Sequence, residues 1–269
     1  MGRDVAEALR LAIFAHYDAE GRVRPYVIRH LAALREVCAR TIFVSTSPVD
    51  GSRALLEPLV DEIRLRDNAG YDFGMWADAI AELPECDELV LTNSSVFGPL
   101  RSLSTLFAEM ADRACDAWGI TENYDHAWHL QSYFLVFRKS ALASEAFRRF
   151  WKSVLPYRDK EQVIRAYEVG LSKFLVENGL ELQALVPHAR LWMTGASEWM
   201  RPLYRGLGNL TCLAPMQLLH HGMPYVKVEL LRDNPARVDL RPVWRALDMA
   251  GYDRALVEFD RPTASSTRR

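Results

Sequence analysis

The sequence predicts an α/β domain: a mostly parallel, Rossmann-like sheet flanked by helices, followed by a less regular α+β C-terminal part. In the first half, short apolar runs alternate with helix-like segments, as in βαβ units. One run, residues 87–93, has an unbroken Leu-Val-Leu centre, which is typical of a central strand covered on both faces. No Ser/Gly linker or internal repeat divides the 269 residues, which favours one domain over residues 1–261.

The first predicted strand covers residues 11–15. The helix after it covers residues 26–38, because Pro25 suits a first helical turn and apolar side chains recur at helical spacing. Strands at 41–46 and 62–65 follow, with a short helix at 52–60 between them.

A helix at residues 71–83 leads to the central strand. Later segments are predicted as helices at 101–112 and 140–155 and as extended chain at 117–120 and 129–137.

The last strong helical pattern covers residues 159–178. It places Val163, Tyr167, Leu171 and Phe174 on one side and ends at Gly179, a residue typical of the position after a helix. The pattern weakens beyond residue 187, and residues 262–269 are predicted to be a disordered tail.

Composition excludes several functional classes. Lys plus Arg number 33 and Asp plus Glu 35, so the net charge of -2 gives no global reason to bind nucleic acid. The four cysteines form no Cys-x-x-Cys pair, and no apolar run approaches the roughly 20 residues of a membrane helix. These features favour a cytoplasmic protein whose membrane contact, at the inner face of the cell membrane, is peripheral.

Polar residues follow four predicted strands, at 16–18, 45–47, 66–72 and 93–95. Ligands of open parallel sheets bind outside the carboxyl ends of the strands, so these residues are predicted to line one cleft. The alternative is that they are ordinary polar loops and caps.

Within residues 66–76, Arg66 can pair with a phosphate, Gly70 permits close backbone approach, and Asp72 can hold a sugar hydroxyl or a metal-bound diphosphate. The alternative is an Arg66–Asp72 ion pair beside an aromatic core plug formed by Tyr71, Phe73 and Trp76.

In these residues and their order, the chain resembles the rhamnan synthesis protein F family, bacterial glycosyltransferases of rhamnose-rich cell-surface polysaccharide assembly. The resemblance spans most of the chain. It is carried by HYD at 16–18, RDNAGYDFG at 66–74, NSSVFGPL at 93–100, HLQSYF at 129–134, EVGLS at 168–172 and KVELLRDNP at 227–235.

The resemblance implies a GT-A-like fold and transfer of a sugar, often rhamnose from dTDP-rhamnose, to a growing polysaccharide or lipopolysaccharide glycan. Residues 1–100 would then bind the nucleotide-sugar, and residues 101–261 a glycan or lipid-linked glycan acceptor. The predicted donor-binding residues are His16, Tyr17, Asp18, Thr46, Arg66, Asn68, Gly70, Tyr71, Asp72, Asn93, Ser94 and Ser95.

One departure concerns the metal. Family members usually have Asn-Asp-Ser after the fourth strand, where many GT-A enzymes place a metal-binding Asp-x-Asp motif, but here Ser94 replaces the aspartate. Magnesium or manganese would meet neutral donors there, with Asn93 and His221 as candidate ligands. Alternatively, Asp72 compensates, or the reaction is metal-independent with Arg66 balancing the leaving diphosphate, or activity is lost.

Inversion at the sugar, which the resemblance implies, requires one general base. Glu168 is the predicted base, since it lies off the apolar stripe with Ser172 one turn later, and Asp72 is the reserve. The alternative for Glu168 is a solvated helix glutamate.

His129 and Gln131 share one face of an extended segment and, with Ser132, are predicted to bind the acceptor. The alternative is a satisfied hydrogen-bond pair in the core.

Two functions therefore compete: an active glycosyltransferase, and a catalytically silent glycan- or nucleotide-binding subunit of a polysaccharide assembly complex. A Rossmann-fold enzyme that modifies sugar nucleotides is disfavoured, because no Gly-x-Gly-x-x-Gly follows the first strand.

Overall fold

A computed structural model of the chain describes residues 8–188 and 209–257. The strands are β1 (Arg10–His16), β2 (Arg40–Ser45), β3 (Glu62–Leu65), β4 (Glu88–Asn93), β5 (Val96–Phe97), β6 (Ala117–Asn123), β7 (His129–Leu130), β8 (Phe134–Arg138), β9 (Leu182–Val186) and β10 (Val226–Lys227). The helices are α1 (Pro25–Arg35), α2 (Arg53–Leu56), α3 (Tyr71–Ile80), α4 (Leu103–Ala111), α5 (Lys139–Ala143), α6 (Glu145–Lys152), α7 (Lys160–Val163), α8 (Gly170–Glu177), α9 (Leu210–Leu213), α10 (Pro215–His220), α11 (Val228–Arg232) and α12 (Arg241–Met249).

The main sheet has the order β3-β2-β1-β4-β8-β6-β7, and β9 also pairs with β6. β1 is parallel to β2 and β4, whereas β8 runs antiparallel between β4 and β6. The carboxyl ends of β1 to β4, β6 and β9 therefore meet at one edge. The predicted fold class, a mostly parallel α/β sheet flanked by helices, is confirmed.

Each face of the sheet carries its own apolar layer. Alternate strand residues such as Phe14 and Phe43 pack with α1, α4 and α12 on one face, while Ile13 and Leu91 pack with α3 and α6 on the other. β4 lies at the centre with Leu89, Val90 and Leu91 fully buried, as its sequence predicts.

Three predicted elements are interrupted. The helix expected at 140–155 breaks at Ser144, which is extended and caps α6 by accepting a 3.1 Å hydrogen bond from Phe147 N. The extended segment at 129–137 divides into β7 and β8. The helix expected at 159–178 contains a π-helical segment, Ile164–Val169, between α7 and α8.

The C-terminal part attaches to the sheet through a short ribbon of β5 and β10. Val226 pairs with Phe97 and Lys227 with Val96, and Val228 N donates to Ser95 O at 2.9 Å. The ribbon joins the two predicted halves of the domain, and the predicted tail lies outside the described residues.

No helix within residues 8–188 and 209–257 is long and apolar enough to cross a membrane.

Candidate active site

Asp72 lies in the first turn of α3, next to the carboxyl end of β4. The helix begins after Gly70, whose φ of 79° is left-handed, and Tyr71 also has a positive φ of 51°. A side chain at Gly70 would be strained, and a non-glycine residue such as Tyr71 rarely takes this conformation. The tight turn places the Asp72 carboxylate at a helix N-terminus, where the helix dipole favours negative charge.

Arg66 stabilises this turn through two side-chain contacts. Its Nη1 donates to Ala69 O at 3.0 Å, and its Nε pairs with Asp78 at 2.9 Å. Gly74 is required beside it, because a Cβ there would lie 2.5 Å from Ala69 O and 2.7 Å from Arg66 Nη1. The alternative Arg66–Asp72 ion pair is not formed, and the guanidinium is engaged by its own loop.

The Asn93-Ser94-Ser95 segment turns sharply after β4 and contacts Asp72. Asn93 Nδ2 donates to Asp72 Oδ2 at 2.7 Å, while Asn93 Oδ1 accepts from Ser95 N at 3.1 Å and from Ser95 Oγ at 2.6 Å. Both ends of the buried amide are thus engaged.

An aromatic cluster holds the helix that carries Glu168 against α3. The Phe73 ring lies 5.9 Å from the Trp151 ring and 5.5 Å from the Tyr167 ring, and the Tyr167 hydroxyl donates to Leu155 O at 3.0 Å. Of the three residues in the alternative aromatic plug, Phe73 and Trp76 are buried, whereas Tyr71 is exposed. The aromatic cluster fixes the position of Glu168, the residue that follows Tyr167.

Glu168 lies in the π-helical segment, a feature that often marks functional positions. Its Oε1 accepts a 3.0 Å hydrogen bond from Ser132 N, and one turn later Ser172 Oγ accepts one of the same length from Leu130 N. The two side chains, four residues apart, hold the backbone that connects β7 to β8. The Glu168 carboxylate consequently faces the protein interior and is not a fully solvated helix glutamate.

Lys227, a residue with no role predicted from the sequence, lies near the same two carboxylates and comes from β10. Its Nζ lies 4.6 Å from the centroid of the Tyr133 ring, and its charge interacts with those of Glu168 and Asp72. The only sequence signal was its place at the start of the KVELLRDNP segment.

Electrostatics distinguish Asp72 from an ordinary surface aspartate. Burial raises the pKa of Asp72 to about 6, opposed by the hydrogen bond from Asn93 and the charge of Lys227 and reinforced by Glu168. Burial also lowers the pKa of Lys227, against the pull of Glu168 and Asp72 in the opposite direction. Two carboxylates and one ammonium thus share a partly buried site.

At the neighbouring end of β1, Asp18 is bound within its own loop, whereas the buried Nε2 of His16 has no hydrogen-bond partner among the described residues. His16 is fully buried, its Nδ1 lies 2.9 Å from Ser45 Oγ, and burial lowers its pKa to about 4. Asp18 accepts from Glu20 N at 2.9 Å and Arg22 N at 3.1 Å and pairs with Arg24 at 2.7 Å. Asp18 thus orders its own loop, and the donor role of both residues stays a prediction.

Other predicted donor residues are exposed or half-buried. Tyr17 and Asn68 are exposed, Thr46 is half-buried, and Ser94 Oγ lies 3.5 Å from Tyr17 O. Their donor role stays a prediction.

The predicted acceptor residues divide. His129 Nδ1 lies 2.9 Å from Ala127 O, and Gln131 accepts from Thr121 Oγ1 at 2.7 Å and donates to Asn209 Oδ1 at 2.9 Å. Both are buried, as in the alternative of a satisfied core pair, whereas half-buried Ser132 adjoins Glu168. Their acceptor role stays a prediction.

The residues at the end of β4 fit a divalent metal poorly. Asn93 Oδ1 already accepts two hydrogen bonds, Asp72 Oδ2 accepts one, and Ser94 supplies a neutral oxygen where a carboxylate is needed. Within the described ranges, no group of three or more His, Cys, Asp or Glu side chains is arranged to hold a metal. Lys227, a cation, lies beside the two carboxylates.

The fold and the site together define a mostly parallel α/β sheet with a polar cluster, Asp72, Glu168 and Lys227, near the carboxyl edge of its parallel strands, where open sheets bind ligands. The chain belongs to the rhamnan synthesis protein F family, whose sequence profile matches residues 41–258.

The relatives differ in length from this chain. Protein y4gN of Sinorhizobium fredii, described as uncharacterized, is 27% identical over 183 residues, 65% of this chain and 48% of the relative. Virulence protein VirA of Vibrio anguillarum is 25% identical over 197 residues, 63% of this chain and 62% of the relative. The matched region is thus about half to less than two thirds of each relative.

Among solved structures, the chain is similar to the mannosyltransferase PcManGT from Pyrobaculum calidifontis in complex with GDP-Man and Mn2+. The TM-score is 0.45 at 12% identity, covering 94% of this chain and 86% of that one. The ligands are those of that enzyme.

Proposed function

We propose that the chain is a glycosyltransferase that moves a sugar from a nucleotide-sugar donor to a growing cell-surface polysaccharide or lipopolysaccharide glycan. The convergence of Asp72, Glu168 and Lys227 at the carboxyl edge of the sheet carries the proposal, and family membership supports it. The favoured donor is dTDP-L-rhamnose, transferred with inversion. Residues 1–100 supply the donor half, residues 101–261 the acceptor half, and the setting is cytoplasmic.

In this mechanism Glu168 is the general base. Its Oε1 is held by Ser132 N at 3.0 Å, which fixes the carboxylate while the other oxygen accepts the proton of the acceptor hydroxyl. The same hydrogen bond links Glu168 to Ser132, the half-buried member of the predicted acceptor set.

Asp72 is proposed to orient the donor sugar or its diphosphate. It accepts from Asn93 and lies at the start of α3, so that the free carboxylate oxygen and the backbone N–H groups of the first turn present both acceptor and donor groups.

A donor panel tests the proposal. Donor hydrolysis and thermal shift are measured with dTDP-, UDP- and GDP-sugars, each in EDTA, magnesium or manganese. A donor present at a concentration of about a hundred times its Kd, and bound only by the native protein, raises the free energy of unfolding by about 2.7 kcal/mol. We expect selective stabilisation and turnover with dTDP-rhamnose.

The same panel detects the competing function. Stabilisation by a nucleotide without hydrolysis or transfer under any condition would support the silent subunit, which Ser94 in the family's aspartate position favours. No shift with any donor would contradict nucleotide binding altogether.

A further inference from the structure

Backbone pairing with the chain that follows β4 fixes the position of Lys227. It lies opposite Val96 in the β5–β10 ribbon, and the next residue, Val228, donates its N–H to Ser95 O at 2.9 Å. The ammonium-bearing residue is therefore attached to the chain that directly follows Asn93.

The Lys227 ammonium lies over the aromatic ring of Tyr133. Its Nζ lies 4.6 Å from the centroid of the Tyr133 ring, which is fully buried. The Tyr133 hydroxyl lies 2.8 Å from Thr121 Oγ1, and its carbonyl accepts from Thr92 Oγ1 at 2.8 Å. A cation over an aromatic face is stabilised without losing its N–H donors.

Those donors have no protein acceptor in the part of the chain that the structure describes: Lys227 forms neither a hydrogen bond nor an ion pair there, although it interacts electrostatically with Glu168 and Asp72. Arg66, by contrast, is committed to Asp78 and Ala69 O. A partly buried ammonium with unfilled donors is costly unless an anion completes it.

We propose that the Lys227 ammonium binds the diphosphate of the nucleotide-sugar donor and stabilises the nucleoside diphosphate as it leaves, taking the electrostatic role of a divalent cation. This inference rests on the proposed function and deepens it. It also replaces Arg66 as the residue that balances the leaving charge.

The transfer step then balances. The acceptor oxygen forms a bond to the anomeric carbon, and its proton passes to the Glu168 carboxylate. The bond between the anomeric carbon and the diphosphate oxygen breaks, and its electron pair leaves on the diphosphate. Lys227 donates charge-assisted hydrogen bonds to the oxygens on which that negative charge appears.

Removal of the charge with retention of the apolar stem is the direct test. In EDTA, isothermal calorimetry compares the binding of dTDP, UDP and GDP to wild type, Lys227→Met and Lys227→Arg. Lys139→Met is the matched control, since Lys139 pairs with Asp87 at the opposite edge of the sheet. Thermal unfolding confirms that each variant is folded.

We expect wild type to bind a nucleoside diphosphate in EDTA and Lys227→Met to bind it at least tenfold more weakly. Turnover of the matching donor should fall about 100-fold, the typical loss for one preorganised donor to a developing anion. Lys227→Arg should recover most of the binding, and Lys139→Met should match wild type. If Lys227→Met does not fold, the comparison of Lys227→Arg with Lys227→Gln replaces it, with the same tenfold criterion.

The contrary outcomes distinguish a failure of the Lys227 inference from a failure of the proposed transferase function. Turnover by wild type that is lost in EDTA and restored by magnesium, or that is equal in Lys227→Met, overturns the inference and leaves the transferase intact. Absence of turnover under every metal condition, with binding that still depends on Lys227, overturns the transferase and retains a diphosphate-binding lysine. Wild type that binds no nucleoside diphosphate overturns both.

Discussion

The ends of β1 and β4 lie side by side at one edge of the sheet but use their carboxylates in opposite ways. At the β1 end, Asp18 accepts from two backbone N–H groups and pairs with Arg24. At the β4 end, Asp72 accepts a hydrogen bond from Asn93 and faces Glu168 and Lys227 without pairing with either in the described structure. A carboxylate whose acceptors are filled by its own loop shapes that loop, whereas one left partly unfilled is available to a ligand.

The largest expected effect is on the β4 side. Glu168→Gln should lower turnover about a thousandfold, within the range of general-base catalysis, while the amide oxygen still accepts from Ser132 N. Steady-state kinetics measures the loss, and calorimetric binding of the donor should be retained. Glu161→Gln, an exposed glutamate in α7 on the same helical segment, is the control. Near-normal turnover of Glu168→Gln would remove Glu168 as the base.

On the β1 side the effect should fall on stability. Asp18→Ala removes the 2.7 Å ion pair with the buried Arg24 guanidinium and two loop hydrogen bonds, so the free energy of unfolding should fall by about 3 kcal/mol. Urea denaturation measures it.

The control is Asp239→Ala, which removes an exposed pair with Arg241 and a hydrogen bond from Arg241 N, and it should lower the free energy of unfolding far less than Asp18→Ala does. If folded Asp18→Ala instead lost donor binding selectively, the β1 end would belong to the ligand site and the contrast between the two ends would fail.

Asp72→Asn should raise the free energy of unfolding by an amount that depends on pH. The folded-state pKa of Asp72, about 6, lies above its ordinary value of 3.8, so its contribution to stability is present at low pH and is lost as pH rises through 6. The substitution should therefore raise the free energy of unfolding by about 2 kcal/mol more at pH 8 than at pH 4.5. Urea denaturation at both pH values checks the difference.

An equal change for Asp72→Asn at both pH values would show that burial does not disfavour its charge.

The smallest effect concerns the turn that presents Asp72. Gly74→Ala should lower the free energy of unfolding by about 1–2 kcal/mol, because its Cβ would lie 2.5 Å from Ala69 O. Thermal denaturation compares it with Gly51→Ala, where no atom lies within 4 Å of the added Cβ. Equal stability of the two variants would mean that the Arg66–Ala69 loop yields without cost.

The periodicity of the first half predicts the sheet well. The prediction for β3 is confirmed to the residue, and those for β1, β2 and β4 to within about a residue, because continuous apolar runs between turn residues are distinctive. The antiparallel direction of β8 could not be predicted, since a period of two carries no information about strand direction.

The site was predictable only in part. Glu168 was singled out for lying off an apolar stripe, and the structure brings it close enough to Asp72 to raise the latter's pKa. The π-helical segment left no signal in the spacing. Lys227 lies on a two-residue strand in a region with weak periodicity, and its partner strand is more than a hundred residues earlier.

The β5–β10 ribbon also bears on the order in which the molecule assembles. Val96 and Lys227 meet across about half of the chain, and contacts of such long sequence separation close large loops and form late. During synthesis, β1 to β4 and α3 can pack before residue 227 has left the ribosome. Asp72 would then occupy a formed sheet edge without its neighbouring cation, so that the proposed diphosphate site is complete only when the ribbon closes.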